Sequence, residues 1–526
     1  MYVVFDFNDI LKTNLGDIFL DDIQRFFKLH SEKIFICYDV ANTYQMLKNF
    51  LELSFLHKLI DNNQLRDIDI MYMLHSITKY DEVKHLPRED FILTPDYYLQ
   101  LRSEILEESI HFINDSQLTF DNVIQKYGVA TEFIQIKGAI ALQSLSANGM
   151  TINQQHRNKL LEKYTQKYEY AKTQLFNKYP DFKNTLSASK KTSYWKQYKD
   201  REIVKLWLDY KKYNRYINVI SSVPDEPICH PIYNPMTISG KTSCKLPCVQ
   251  HFPTKKGFRE IFTASKGSII LGIDYNYIEL CTLAMICEKK FGKSVLADKI
   301  RNNIDLHSYT AELIFGSSLD DNRKIAKAIN FSIAGGQGPH GLQKFAKSND
   351  IDLSLEECKK FRKKMLYEIY PELGMLLDDY AVNNVAEKLN LDKNYCKTML
   401  KNEIYKLQIG KKSNHKLLKG HDNLCMADVC TLTGRIRKNV KYTIAFNMPR
   451  AGLAADLAKL ALWNLTKEGY KLIAFIHDEI LLEIPKTRHI DKHVTKIHHI
   501  FNNALPDLSD SIPIKSKSVL MSSWSK

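Results

Sequence analysis

Nothing in this 526-residue chain is both long and apolar enough to cross a bilayer as a helix, which argues against a membrane-spanning class. The opening residues, Met1-Tyr-Val-Val-Phe, carry neither a basic region nor a small-residue cleavage site, so no secretory leader is expected. Ten cysteines are scattered without a CxxC pair or a zinc-like His/Cys spacing. Disulfide scaffolds and structural zinc modules are therefore not expected, and the thiols read as reduced ones in a cytoplasmic protein. Internal repeats and low-complexity tracts are absent, which argues against solenoids and tails of biased composition. Acidic charge also falls short of basic: 60 Asp+Glu against 74 Lys+Arg leave a formal charge of +14. That excess suits a polyanionic partner. The length predicts more than one domain, at roughly 150 residues each.

What is present is organised around two acidic strand ends. In Phe475-Ile-His-Asp-Glu-Ile-Leu-Leu-Glu-Ile-Pro485 a His-Asp-Glu triplet interrupts an apolar run, the pattern of a β-hairpin with acids at its tip. Taken alone, the triplet is better read as a merely polar turn, since such triplets are common at hairpin tips. Some two hundred residues earlier, Ser268-Ile-Ile-Leu-Gly-Ile-Asp274 reads as an apolar strand ending in an aspartate, with a helix from Ile278 onward. Two carboxylates brought together cannot both stay ionised without a cation. A pair of divalent metals about 3.5–4 Å apart is the usual solution in phosphoryl transfer. Asp274 and Asp478 are thus candidate ligands of a two-metal site.

Along the chain, residues 1–130 read as a small α/β unit with strands at Tyr2-Phe7 and Lys33-Tyr38, and with Asp6, Asp9 and Asp39 at strand ends. Solvated strand ends explain those acids better than a metal site does, since no further carboxylate spacing supports a cluster. From 131 to 230 the pattern is mostly helical. Ile136 to Leu145 reads as amphipathic and stops at Asn148-Gly149. Bases interleaved with aromatics, in Tyr194-Trp-Lys-Gln-Tyr-Lys and in Trp207-Leu-Asp-Tyr-Lys-Lys-Tyr-Asn-Arg-Tyr216, suit a surface that follows a phosphate backbone, or a plain solvated helix face. Ser239 to Pro253 is an irregular segment offering Lys241, Gln250 and His251 as donors. Asp305-Leu-His-Ser-Tyr-Thr opens a helix and supplies His307. A helix from Asp321 to Ile333 sets Arg323, Lys327 and Phe331 four residues apart on one face, able to grip a triphosphate and stack on a sugar or base, or merely to be a basic surface helix. Gly335-Gly-Gln-Gly-Pro339 must break it.

Six of these segments, in order over roughly 230 to 526, resemble family A DNA polymerases, the bacterial DNA polymerase I type. Gly272-Ile-Asp-Tyr-Asn-Tyr-Ile-Glu-Leu280 resembles motif A (Asp-Tyr-Ser-Gln-Ile-Glu-Leu-Arg). Arg323-Lys-Ile-Ala-Lys-Ala-Ile-Asn-Phe331 is similar to motif B, and His477-Asp-Glu479 to motif C. Ser239–Pro253, Asp305–Ala311 and Asn447-Met-Pro-Arg-Ala-Gly-Leu-Ala-Ala-Asp456 are similar to the family's remaining segments.

The resemblance implies a mixed α/β (α+β) right hand. Residues 1–130 would be a degenerate 3′–5′ exonuclease-like domain, 131–230 the thumb, 231–285 the first part of the palm, 286–445 the fingers and 446–526 the second part of the palm. It implies template-directed synthesis with two Mg²⁺ ions per site, Mn²⁺ as a substitute, and primer-template DNA and dNTPs as partners. Asp274, Asp478 and Tyr275 would hold the metals. Arg323, Lys327 and His307 would contact the phosphates, Lys327 as proton donor to pyrophosphate. Glu279 would block a ribose 2′-hydroxyl and Phe331 would pack on the sugar. Lys241, Gln250, His251, Asn447 and His477 would lie along the duplex, with Glu479 a supporting carboxylate.

Departures accompany the matches. Motif B's Tyr is Gly335, in a segment that looks like the phage branch, for which the compartment would be a host cytoplasm. Cys281, Asn276, Tyr277 and Ala451 replace other family residues. In the front unit, Asn8 stands where the exonuclease pattern has a carboxylate and Thr43 where its second motif has Asp. A two-metal nuclease short of carboxylates should not work, so a proofreading-dead remnant is expected. Two other functions fit the same motifs: a single-subunit RNA polymerase, against which Glu279 speaks, and a non-catalytic primer-template-binding relative, against which the joint presence of Asp274, Lys327 and Asp478 speaks.

Overall fold

The computed structural model describes residues 2–7, 10–109, 120–178, 202–408, 413, 415–418, 426–509 and 512–525. Asn8, Asp9 and the segment 194–199, on which expectations were placed, lie outside the described residues. The chain is a mixed α/β protein. Its sheets are small and are held apart by helices.

The front unit is a five-stranded sheet. Strands Tyr2–Phe7, Ile34–Cys37 and Leu65–Asp67 run parallel, and the hairpin Leu11–Thr13/Gly16–Ile18 extends one edge. Parallel strands covered by helices need apolar side chains on both faces. Val3, Val4, Phe5, Phe35 and Ile36 supply them and are fully buried. The two strands expected here are both found.

Helix Glu132–Asn148 ends at Gly149 (φ +65°), as its sequence predicts, but it is not amphipathic. Glu132 through Ile136 and Gly138 through Leu142 are all buried, because this helix is wedged between the front unit and the long helix Tyr442–Lys467. A helix clad on every side needs no polar face. Ion pairs fasten the front unit to the rest. Arg437 holds Asp81 at 2.6 and 2.8 Å, Lys438 pairs with Glu108, and Asp61 takes Trp463 Nε1 at 2.9 Å and Lys467 Nζ at 2.8 Å.

Helices Gln154–Lys178 and Glu202–Ser221 form a closely packed pair. Here the aromatics expected to face a phosphate backbone mostly face one another. Tyr210 stacks on Tyr168 with centroids 5.1 Å apart, Tyr216 meets Tyr164 at 5.0 Å, and Trp207 is buried beside Leu175. The apolar seam between the two helices claims these rings, since a buried aromatic removes more surface from water than an exposed one.

The central sheet is antiparallel, in the order Lys471–Ile476, Glu479–Pro485, Ser268–Tyr275, Ser516–Met521. Leu271 and Ile273 enter one core with Leu453 and Leu457 of the long helix. Ile270, Leu481 and Met521 enter another with Phe262 and Trp524. Burial on both faces is why these strands read as continuous apolar runs rather than as alternation. Helices Ile278–Phe291, Leu306–Phe315, Asp320–Ala334 and Pro339–Ser348 follow strand Ser268–Tyr275 in the chain. Among the described residues no helix is long and apolar enough to cross a membrane.

Candidate active site

The two acidic strand ends meet. Asp274 is the penultimate residue of its strand and is paired in register with Glu479, so Asp478 at the hairpin tip comes beside it. The tip requires His477 to take a left-handed backbone (φ +61°), and the turn after Asp274 puts Tyr277 in the same region (φ +45°). Left-handed non-glycine residues cost the fold on the order of 1 kcal/mol each and cluster at functional sites. At Gly272 a Cβ would lie 2.9 Å from Met521 Cε and 3.1 Å from Glu479 Oε1, so the Glu479 carboxylate lies close against the strand there.

Burial, then the Asp274 charge, raises the Asp478 carboxyl to about 6. Lys517, from the terminal strand, approaches Asp274 at 3.6 Å and is largely exposed. The pair lines a cavity of about 570 Å³ together with Arg323, Lys327, His307 and Phe331. Helix Asp320–Ala334 thus presents the three residues its spacing predicts on one face, and that face is toward the acids.

Each cation has a definite state. Arg323 donates to Asp305 through Nε at 3.0 Å and Nη2 at 2.6 Å, while Asp305 also caps helix Leu306–Phe315 by accepting from His307 N at 2.8 Å. His307 is buried and lies 3.0 Å from Asn330 Nδ2. Burial, with Arg323 and Lys327 adding to it, lowers its imidazole to about 4, so the ring is neutral near pH 7. Lys327 is exposed, its ammonium 6.0 Å from the Phe331 ring centroid.

A second cavity of about 280 Å³ adjoins the first and shares Glu279, Phe331 and Asp478 with it; Lys241 and His477 also line it. Glu279 accepts from Lys241 Nζ at 2.7 Å and from Arg450 Nη1 at 2.5 Å. Burial alone would raise this carboxyl, but Arg450 and Lys241 overcome it and hold it at about 2. Asn447 accepts from Arg450 Nη2 at 2.5 Å, Gln250 Nε2 reaches Thr242 Oγ1 at 3.1 Å, and His251 lies 3.4 Å from Cys248 Sγ. The Tyr275 ring points away from the cavity: its hydroxyl donates to Phe501 O at 2.9 Å and the ring stacks on Phe501. From that residue only the main-chain carbonyl is left to serve a metal.

The sequence did not single out Arg450, Lys517 or Asp305. Arg450 left one signal, the one cation in the run from Ile444 to Leu453; Lys517 left none. Beneath the cavities the buried Arg435 and Asp456 pair, Gln135 donates to Asp456 at 3.2 Å, and Lys459 donates to Gly240 O at 2.7 Å. This polar knot ties four segments together under the site.

Comparison with known proteins agrees with this geometry. The model of DNA polymerase family A matches residues 139–526. DNA polymerase I of Caldicellulosiruptor bescii is 30% identical over 317 residues, covering 56% of this chain and 33% of that protein. DNA polymerase I of Aquifex aeolicus is 25% identical over 348 residues, covering 62% and 52%. The chain therefore spans about a third to a half of these relatives' length. Among solved structures, the POL domain of Pol1 from M. smegmatis, in complex with DNA primer-template and dNTP, superposes with a TM-score of 0.65. At 16% identity it covers 100% of this chain and 95% of that one, a likeness of fold.

Proposed function

The chain belongs to DNA polymerase family A, and from that premise we propose that it is a template-directed DNA polymerase that adds deoxynucleotides to a primer 3′-hydroxyl. One observation carries this reading: the two strand-end aspartates line one cavity together with Arg323, Lys327 and Phe331 from a single helix face, and with His307. A cavity that holds both carboxylates and cations suits metal-assisted transfer of a triphosphate.

The donor set fits two divalent ions, Mg²⁺ with Mn²⁺ as substitute, held by Asp274, Asp478 and the Tyr275 carbonyl. A carboxyl raised to about 6 by burial and a like-charged neighbour is one whose ionised form a cation stabilises. When bound, such ions lower the pKa of the attacking hydroxyl and neutralise the leaving phosphates. The chain's own groups do the rest. The triphosphate competes with Asp305 for Arg323. Lys327, exposed at the cavity, is placed to give a proton to pyrophosphate. Phe331 supports the sugar, and Glu279 closes the side where a 2′-hydroxyl would go. Lys241, Gln250, His251, Asn447 and His477 follow the duplex, and Glu479 backs the acids. In this division the central sheet is the palm, residues 286–445 are the fingers, and helices Gln154–Lys178 and Glu202–Ser221 are the thumb.

The front unit, on our reading, does not proofread. Asp6 pairs with Arg88; Asp39 caps helix Val40–Leu47 through Asn42 N at 3.1 Å; and buried Asp67 accepts from Val40 N at 2.7 Å and Asp69 N at 2.8 Å. Each acid already has a partner within the fold. A phage setting is supported by Gly335-Gly-Gln-Gly-Pro339, while the relatives compared are bacterial.

The test is extension of a labelled primer on a DNA template with dNTPs and Mg²⁺, beside Asp478→Ala. Extension that disappears in the variant supports the reading. Duplex binding without extension by either protein would make the chain a binding relative, and a preference for rNTPs would make it an RNA polymerase.

A further inference from the structure

We propose that Arg450 is a positioning residue for sugar selection: it fixes the Glu279 carboxylate so that the carboxylate excludes a ribose 2′-hydroxyl instead of accepting it. This rests on the sugar-facing role of Glu279 proposed above. The two oxygens of Glu279 are committed separately, Oε1 to Lys241 and Oε2 to Arg450, at 2.7 and 2.5 Å. The two cations differ. The Lys241 side chain is 51% exposed on an irregular segment that approaches the duplex in our reading, whereas the Arg450 side chain is 5% exposed in the long helix. Lys241 is therefore the one that bound DNA can draw away, and Arg450 is the permanent anchor.

Two further contacts hold Arg450 in place. Its Nη2 donates to Asn447 Oδ1 at 2.5 Å, and its carbonyl accepts from Thr282 Oγ1 at 2.9 Å, on the same helix as Glu279. Gly335 leaves room beside it: a Cβ there would lie 3.4 Å from Arg450 Nη2, an ordinary contact, so a side chain extending beyond Cβ toward the guanidinium would contend for its space. The smallness of Gly335 and the size of Arg450 are thus one arrangement. Arg450 Nε is buried without a hydrogen-bond partner among the described residues.

The chemistry follows. With Oε2 gripped by a planar guanidinium, the carboxylate stays ionised and fixed in orientation even when Lys241 turns to the DNA. A 2′-hydroxyl brought against it loses its water while the carboxylate cannot turn to take it in line, whereas a deoxyribose places only a C–H there. Without Arg450, Oε2 is free to turn and accept the hydroxyl, converting an excluder into a binder.

The experiment measures single-turnover incorporation of a dNTP and of the matching rNTP on primer-template by wild type, Arg450→Gln, Arg450→Lys, Glu279→Ala and the Glu279→Ala/Arg450→Gln double variant, with melting temperatures for each. Arg450→Gln should lower dNTP-over-rNTP discrimination by about tenfold or more, with Arg450→Lys intermediate, because about 1.4 kcal/mol of differential binding is a factor of ten. The double variant should lose no more than Glu279→Ala alone. A wild-type ratio in Arg450→Gln, with both rates reduced together, would overturn the proposal and leave Arg450 a structural residue. If that variant melts below the assay temperature, an unchanged ratio in Arg450→Lys overturns it instead. Wild-type discrimination in Glu279→Ala would be a different failure, that of the sugar-facing reading of Glu279 itself.

Discussion

The front unit and the central sheet place acids at matching points. Asp6 is the penultimate residue of Tyr2–Phe7 and Asp274 of Ser268–Tyr275; Asp39 lies two residues past Ile34–Cys37 and Asp478 two past Lys471–Ile476. Each pair lines a cavity, of about 250 Å³ in front and 570 Å³ behind. What differs is where the charge goes. In front, Arg88 pairs with Asp6 while lying 4.6 Å over the Tyr38 ring, and a helix N-terminus absorbs Asp39. Behind, neither acid caps a helix, Asp478 is pushed up to about 6, and the cations of the cavity are arrayed for something that enters it. The same strand-end geometry is finished as structure in one place; in the other, Asp478 is held buried beside a like charge, with the largely exposed Lys517 3.6 Å from Asp274.

The contrast can be broken at several points. The largest effect should come from Lys327→Ala, which removes a cation from the cavity. Extension should slow by about 10²-fold, within the range for loss of a general acid, whereas Arg88→Ala should leave the extension rate unchanged; single-turnover kinetics compare the two. Next is the stability cost of a buried acid beside a like charge. Because Asp478 titrates in the fold near 6 rather than near its ordinary 3.8, its ionised form burdens the folded state fully above pH 6 and not at all below about 3.8. Asp478→Asn should therefore be more stable than wild type at pH 8 in EDTA, on the order of 1–3 kcal/mol, and the gain should fade as pH falls from 6 to 4. Denaturant melts with and without Mg²⁺ would test this, the metal stabilising wild type and not the variant.

A smaller effect is expected at the seam. Asp61→Ala strands the Trp463 N–H and frees Lys467, costing about 1 kcal/mol, and faster limited proteolysis at the junction would register it. Least of all should happen at Asp6. Removal of a 3′ mismatch in Mg²⁺ should be absent in wild type and in Asp6→Ala alike; magnesium-dependent release that Asp6→Ala abolishes would end the view of the front unit as a remnant.

Much of the site was legible in the chain. Asp274, Asp478, Arg323, Lys327, Phe331, His307 and Glu279 were all named from spacing and resemblance, and all line the two adjoining cavities. The hairpin, the motif A strand and the helix break at Gly335 follow the local pattern because strand alternation, helical period and glycine punctuation act over a few residues. Exposure was less legible. The interleaved Tyr and Trp of 207–216 read as a surface and form a seam, and the helix ending at Asn148 read as amphipathic and is enclosed. A residue's own neighbours in sequence do not say which of its faces another element will cover.

By itself, then, the sequence determined the family, the order of the elements and the acids and cations that carry the chemistry, since each is written in short-range pattern. Tertiary structure alone decided that Arg450 grips Glu279, that Lys517 stands beside Asp274, and that Arg88 occupies Asp6. The partners in these pairs lie 171, 243 and 82 positions apart in the chain, and an ion pair depends on separation in space, to which spacing along the chain is no guide.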